Sequence, residues 1–390
     1  MLESEFYNII YNDNEFNFLA FALSSWHANS IDATISWLRS LQITVKGYVI
    51  IGEHPVSGRL IDRTNFVNLD ADIQLINVEF KPLHWKEKIF NNIKASFQIR
   101  KNGGGQRVIY ICNASYPDYN MLNIVERRIP NSTIKFIVID EGCGAYLLSN
   151  KNSWVNMHLH DRKEKGNYID RLLLNLLFDI RRVPKAMMLN VLVHQKRYIN
   201  NCLLVKDDRA KLKPNKRIRK HYRELFSNYG EKAQLTDVDY SNAIVINTAH
   251  LGDQNSKLER ITTALERRII DYAYDRGWRV VVKPHPRESG TVFYNEDKCV
   301  IDRGSSCSQE AIIGSLDNRP KCIIALNSST LININTIFSI PTIGLAKMVL
   351  NEDISGSEKE SLKRYIDTFD GIVEFPSDFD ELINSINAIG

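Results

Sequence analysis

Short apolar runs alternate with amphipathic helical patterns along most of this chain, and that alternation limits its fold more than any other feature. In the first half, Phe16–Leu23, Gly47–Ile51, Arg107–Cys112 and Ile134–Ile139 read as strands. In the second half, Ala243–Asn247, Trp278–Lys283, Cys322–Leu326 and Thr342–Leu345 do, and these are rich in Val and Ile. Apolar runs this short, without strict polar alternation, suit strands buried on both faces. Between the first two strands, Ser30 is placed to cap a helix whose Ile31, Ile35, Leu38 and Leu41 share one face. After Ala243–Asn247, the residues Leu258, Ile261, Leu265, Ile269 and Tyr272 recur at helical spacing, and Gly277 supplies a stop. Strands alternating with helices predict α/β architecture with parallel sheets covered on both faces. Two such sets predict two Rossmann-like, doubly wound domains, and 390 residues are enough for both.

The stretch between the sets differs in character. Asn167–Asn190 is helical and apolar, whereas Lys206–Arg223 is densely basic: Arg209, Lys211, Lys213, Lys216, Arg217, Arg219, Lys220 and Arg223 all fall there. The expected organisation is therefore an N-terminal domain over 1–190, a basic linker over 191–240 and a C-terminal domain over 241–390. Ser377–Ile389 carries a helical pattern that can pack back on either domain. Lys plus Arg is 50 and Asp plus Glu is 46, a net charge of +4, which is too mild for a dedicated nucleic-acid binder. The basic run has three readings: contact with anionic lipid, a hold on an anionic polysaccharide acceptor, or a solvated linker. Six cysteines form no C-x-x-C pair and no zinc spacing, as expected of reduced, mostly buried thiols. Met1–Glu5 lacks the basic start of a signal peptide, and no uninterrupted apolar run reaches the roughly 18 residues of a membrane span.

Ligands of open parallel sheets bind at the carboxyl ends of the strands, so the loops that follow strands are where chemistry is sought. Asp140-Glu141-Gly142-Cys143-Gly144 follows Ile134–Ile139 and could present a carboxylate base for a hydroxyl nucleophile; an acidic turn is the competing reading. Lys283-Pro284-His285-Pro286-Arg287 follows the strand ending at Val282 or Lys283. Its prolines fix the backbone around His285, and the flanking cations suit an anionic group. Asn327-Ser328-Ser329-Thr330 precedes the helical run Leu331–Phe338. Its hydroxyls and free N–H groups serve equally as an anion site or as an ordinary cap. His54-Pro55 has no flanking cations and reads as a turn, and Gly103-Gly104-Gly105 precedes a strand, so it is no dinucleotide fingerprint. His158, His160 and Asp161 read as surface polar residues, so no metal site is expected.

Together and in this order, Asp140-Glu141-Gly142, His285-Pro286 and Ser328-Ser329-Thr330 resemble the acidic, His-Pro and Ser-Ser/Thr motifs of bacterial sialyltransferases and polysialyltransferases. The longer runs Asp-Glu-Gly-Cys-Gly-Ala-Tyr and Lys-Pro-His-Pro-Arg-Glu look like the capsule and lipooligosaccharide enzymes of that group. The resemblance implies a GT-B fold of two facing Rossmann-like domains. It also implies metal-independent, inverting transfer of sialic acid from a CMP donor to a surface glycan, with no cofactor. By resemblance, Glu141 is the base with Asp140 in support, and His285 donates to the departing phosphate. Ser328, Ser329, Thr330, Pro286 and Lys283 would hold that phosphate. CMP would lie on the C-terminal domain and the acceptor on the N-terminal one, where Ser25, Trp26 and His27 follow the first strand. A Trp there can stack on a sugar or sit in the core. The implied location is the bacterial cytoplasm, peripheral at the inner membrane face through Lys206–Arg223. Kdo transferases and CDP-glycerol glycerophosphotransferases share the His-Pro and serine loops, and the acidic motif favours a nine-carbon sugar. A non-catalytic glycan-binding subunit on the same scaffold is the reading from another class.

Overall fold

Apolar strands and amphipathic helices assemble into two units, Met1–Cys202 and Leu203–Gly390. The computed structural model describes residues 13, 15–22, 24–52, 61, 63–78, 108–113, 133–140, 142–147, 198–207, 211–230, 236–248, 257–284, 294–303 and 308–389. In the first unit the elements are β1 (Phe18–Ala22), α1 (Ser25–Ser40), β2 (Gly47–Gly52), β3 (Ile73–Val78), β4 (Val108–Asn113), β5 (Thr133–Val138) and β6 (Tyr198–Asn200). The six strands form one sheet in the order β3-β2-β1-β4-β5-β6. Every pairing is parallel, with Phe18 of β1 opposite both Gly47 and Tyr110. This is the Rossmann order, which reverses between β1 and β4. Leu19, Val49, Ile50, Ile109 and Ile137 are fully buried in it. β3 escapes the pattern reading because it is an edge strand interrupted by exposed Gln74 and Asn77.

The first helix starts earlier than expected. Ser24, not Ser30, is the cap: its Oγ accepts the His27 N–H at 3.2 Å. Ser30 lies fully buried inside the helix, where its carbonyl accepts the Thr34 hydroxyl at 2.8 Å. The chain turns directly from β1 into α1, so the first available hydroxyl takes the cap.

The second unit opens with an antiparallel hairpin, β7 (Leu204–Lys206) and β8 (Leu212–Pro214), followed by α2 (Lys216–Gly230). Then come β9 (Ile244–Asn247), α3 (Lys257–Asp275), β10 (Val280–Lys283), β11 (Val300–Ile301), α4 (Gln309–Ser315), β12 (Cys322–Ala325), α5 (Ser329–Phe338), β13 (Thr342–Gly344), α6 (Gly356–Phe369) and α7 (Phe379–Ala388). The sheet order is β11-β10-β9-β12-β13, parallel throughout. On one face, Ile244, Ile246, Val280, Val282 and Ile324 pack with Ile269, Ile270 and Ala273 of α3 and with Leu382, Ile383 and Ile386 of α7. The C-terminal helix therefore belongs to this unit.

In place of a linker over 191–240, β6 joins the first sheet and α2 covers the second unit. The charge density of this stretch conceals an apolar stripe. Ile218, Tyr222, Leu225 and Phe226, at helical spacing, are at most 1% exposed. The Phe226 ring centroid lies 6.3 Å from that of Phe338 on α5. At Gly314 of α4, any Cβ would fall 2.5 Å from the Phe226 Cβ, so only glycine permits this approach. Asn167–Asn190 lies outside the described residues. Cys112, Cys202, Cys299 and Cys322 are buried free thiols and Cys143 is a half-buried one; Cys307 lies outside the described residues. Among the described residues, no helix is long and apolar enough to cross a membrane.

Candidate active site

In the second sheet the strand order reverses between β9 and β12, and the loop after β12 is the serine loop. Ser328 has extended backbone (φ −154°, ψ 142°) and caps α5, its Oγ accepting the Thr330 N–H at 3.2 Å. Ser329 and Thr330 are half-buried, and their hydroxyls bond no other described residue. Two uncommitted hydroxyls and the first N–H groups of a ten-residue helix, at a switch point, make a seat for an anion. The loop is gripped from behind. Tyr365 Oη of α6 donates to the Ser328 carbonyl at 2.7 Å and accepts the Ser328 N–H at 3.1 Å.

The other end of α5 is held by arginines. Arg223 reaches the Ile337 carbonyl through Nε at 3.2 Å and Nη2 at 2.8 Å, and Arg219 Nε reaches the same oxygen at 3.4 Å. Arg219 also donates to Ser339 Oγ, and Arg319 Nη1 donates to the Phe338 carbonyl at 3.0 Å. Cations at a helix C-terminus complement its dipole. Part of the basic run thus serves the fold rather than a partner.

Lys283, at the end of β10, is paired within the second unit. It is 6% exposed, and its Nζ lies 3.8 Å from the carboxylate of Asp302, which is 2% exposed. Asp302 also accepts the Tyr240 hydroxyl at 2.6 Å and the Thr236 hydroxyl at 3.3 Å. Val280 and Val282 pack with α3, so strand alternation turns Lys283 to the opposite face. Its charge is matched inside the unit by Asp302. The Thr248 N–H donates to its carbonyl at 3.1 Å and ties the ends of β9 and β10 together. Pro284 is described; His285 and Pro286 lie outside the described residues.

In the first unit, Asp140 follows β5 and is 1% exposed. The Tyr146 hydroxyl, from the single helical turn Gly144–Leu147, donates to its carboxylate and closes the loop. Gly142 has φ +100°, a conformation that favours glycine and explains the glycine after the two acids. Burial, and then the nearby Asp140 carboxylate, hold the Cys202 thiol well above its usual pKa. Asp140 is thus an interior brace, while Glu141 lies outside the described residues. Of the expected acceptor-side residues, Ser25 is exposed, Trp26 is half-buried and His27, 7% exposed, points into the unit. His27 is thus largely withdrawn from solvent. No three His, Cys, Asp or Glu side chains converge as metal ligands among the described residues; His158, His160 and Asp161 lie outside them.

The family profile described as alpha-2,8-polysialyltransferase matches residues 73–347. The chain belongs to this family. It is a sialyltransferase. The polysialyltransferase match takes in Asp140, Glu141, His285 and Ser328–Thr330, and leaves Ser25–His27 and Tyr365 outside. No curated protein sequence matches the chain. Among solved structures, the UDP-GlcNAc 2-epimerase of Methanocaldococcus jannaschii, in complex with UDP-GlcNAc and UDP, is similar at TM-score 0.43 and 11% identity, over 95% of this chain and 92% of that one. The alpha/beta-galactoside alpha-2,3-sialyltransferase of Photobacterium phosphoreum is similar at TM-score 0.39 and 12% identity, over 92% and 97%. The sialyltransferase of Photobacterium damsela is similar at TM-score 0.42 and 11% identity, over 92% and 81%.

Tyr146 is the one brace with a sequence signal, since it closes the Asp-Glu-Gly-Cys-Gly-Ala-Tyr run. Asp302, Tyr240 and Tyr365 carry none, because each meets its partner from a distant part of the chain.

Proposed function

We propose that this polysialyltransferase-family enzyme transfers sialic acid, or a related nonulosonic acid, from a CMP-activated donor to a hydroxyl of a bacterial capsule or lipooligosaccharide glycan, with inversion at the anomeric carbon. The observation that carries this reading is the pair of uncommitted hydroxyls, Ser329 and Thr330, at the start of α5 beside the switch point of the second sheet. There they bind the phosphate of CMP. Glu141 takes the proton of the attacking hydroxyl, and Asp140, its neighbour in sequence, is fixed by Tyr146. His285 donates to the departing phosphate. With His285 and the start of α5 meeting the leaving charge, the reaction needs no metal, and activity is expected to persist in excess EDTA.

The α-2,8 linkage in the family's description makes the acceptor itself a sialylated, anionic chain. The exposed cations Lys206, Lys211, Lys213, Lys216, Arg217 and Lys220 suit that charge or the anionic inner face of the cytoplasmic membrane. Ser25 and Trp26 are the acceptor-side residues still available for a glycan.

The test is incubation with CMP-Neu5Ac and a panel of sialylated and neutral acceptors, reading CMP release and product mass. Glu141→Gln and His285→Ala are each expected to lower CMP release at least about a hundredfold, the range of a lost general acid or base, with unchanged melting. Near-wild-type turnover in both variants would sink the assignment.

A further inference from the structure

We infer that Tyr365 is a positioning residue for the donor phosphate: by clasping the Ser328 backbone it sets where the Ser329 and Thr330 hydroxyls point. This rests on the reading of that loop as the phosphate seat. Ser328 stands between the last residue of β12 and the first of α5, where neither the sheet nor the helix fixes its N–H. One hydroxyl supplies both missing partners, donating at 2.7 Å and accepting at 3.1 Å. The two bonds hold the peptide planes on either side of the Ser328 Cα, and so fix the backbone orientation at that residue as well as its place, which a single bond cannot do. The clasp is rigid because its ring is fixed. Tyr365 is 2% exposed, its ring centroid lies 5.0 Å from that of Phe369, and Phe375 meets it edge-on at 5.8 Å. The helix that carries it is anchored at its start by a capping box between Ser355 and Glu358. The aim of the phosphate loop is therefore set by a helix that follows it in sequence and lies beyond the stretch matched by the family profile. Ground-state geometry of this kind must be held to about half an ångström to support transfer.

Tyr365→Phe removes the hydroxyl and keeps both ring contacts. Ser328 is half-buried, within reach of water, so its freed N–H and carbonyl do not block folding. On the full chain, calorimetric titration with CMP and donor kinetics are expected to show roughly tenfold weaker CMP binding, the size of one to two lost neutral hydrogen bonds. The donor KM should rise with the acceptor KM unchanged, and the melting temperature should stay near wild type. In the background of Ser329→Ala with Thr330→Ala, adding Tyr365→Phe should weaken CMP binding by less than twofold, because no hydroxyl remains to be aimed. Wild-type CMP affinity in Tyr365→Phe, or effects that simply multiply in the combined variant, would overturn the inference. If the Ser329→Ala, Thr330→Ala protein itself binds CMP like wild type, the loop is not the phosphate seat and both readings fall. In the wild-type protein, the Ser328 amide should exchange with solvent at least about a hundredfold more slowly than an open amide. Free exchange there would overturn the clasp without recourse to any variant.

Discussion

Glu310, in the first turn of α4, is 5% exposed, and Asn333 Nδ2 donates to its Oε1 at 2.8 Å across to α5. Burial pushes its carboxyl above the ordinary value of 4.5, and the Asn333 bond offsets this only in part. The native state therefore favours the protonated form. The resulting stability is fully present below about pH 4.5 and is lost as pH rises through the raised value. Glu310→Gln keeps an acceptor for Asn333 and removes the titration. The variant should gain stability over wild type as pH rises from 5 to 8, read as a widening gap in melting temperature; parallel curves would contradict it. Residues differ in how far their neighbours in sequence reveal them. Asp140 and Ser328 announce themselves by following strands, and Gly142 by the positive φ that its turn demands. Lys283 does not: its place at a strand end suggests phosphate, but side-chain alternation aims it at Asp302. That partner follows β11 and pairs with it only once the sheet has formed.

At the scale of elements, α5 is held at both termini, by Tyr365 at its start and by Arg219, Arg223 and Arg319 at its end. Burial, and then repulsion from Arg223, pull the pKa of Arg219 and of Arg319 below the usual guanidinium value, as expected where like charges share one helix end. Arg223→Ala should cost about 1 kcal/mol, seen as a lower midpoint in urea unfolding, because it removes two donors from one carbonyl. Lys220→Ala on the exposed side of α2 should stay within about 0.5 kcal/mol of wild type. An equal loss in both would mean that the arginines do not anchor the helix. The long helix α3 and the strands β9, β10 and β12 are legible in the sequence, since their periodicity is unbroken. α2 is not, because ten of its fifteen residues are charged, His, Ser, Asn or Gly and its buried positions are read only as a stripe.

Among the described residues, the molecule has two parallel sheets, with strand orders β3-β2-β1-β4-β5-β6 and β11-β10-β9-β12-β13. In the second, the cations divide into those that cap α5 and those left on the surface. Changing Lys213, Lys216 and Lys220 to Gln should weaken association with polysialic acid or with anionic vesicles, most at low salt, without shifting the melting temperature. Unchanged association with both would mean that the surface cations only keep the hairpin and α2 solvated. Local patterning along the chain is enough to set the alternation of strand and helix, hence two Rossmann-like units, and to mark which loops follow strands. In a parallel sheet all those loops gather on one edge, so the acidic, His-Pro and serine motifs could be found by position alone. Which strands became neighbours, and so which loop stands where the order reverses, was set by long-range packing. That packing alone separated structural arginines from surface lysines, turned Lys283 inward and brought Tyr365 to Ser328. The reason is range: burial imprints a local period of two or 3.6 residues on the chain, whereas partner choice depends on contacts between distant segments, on which local periodicity leaves no mark.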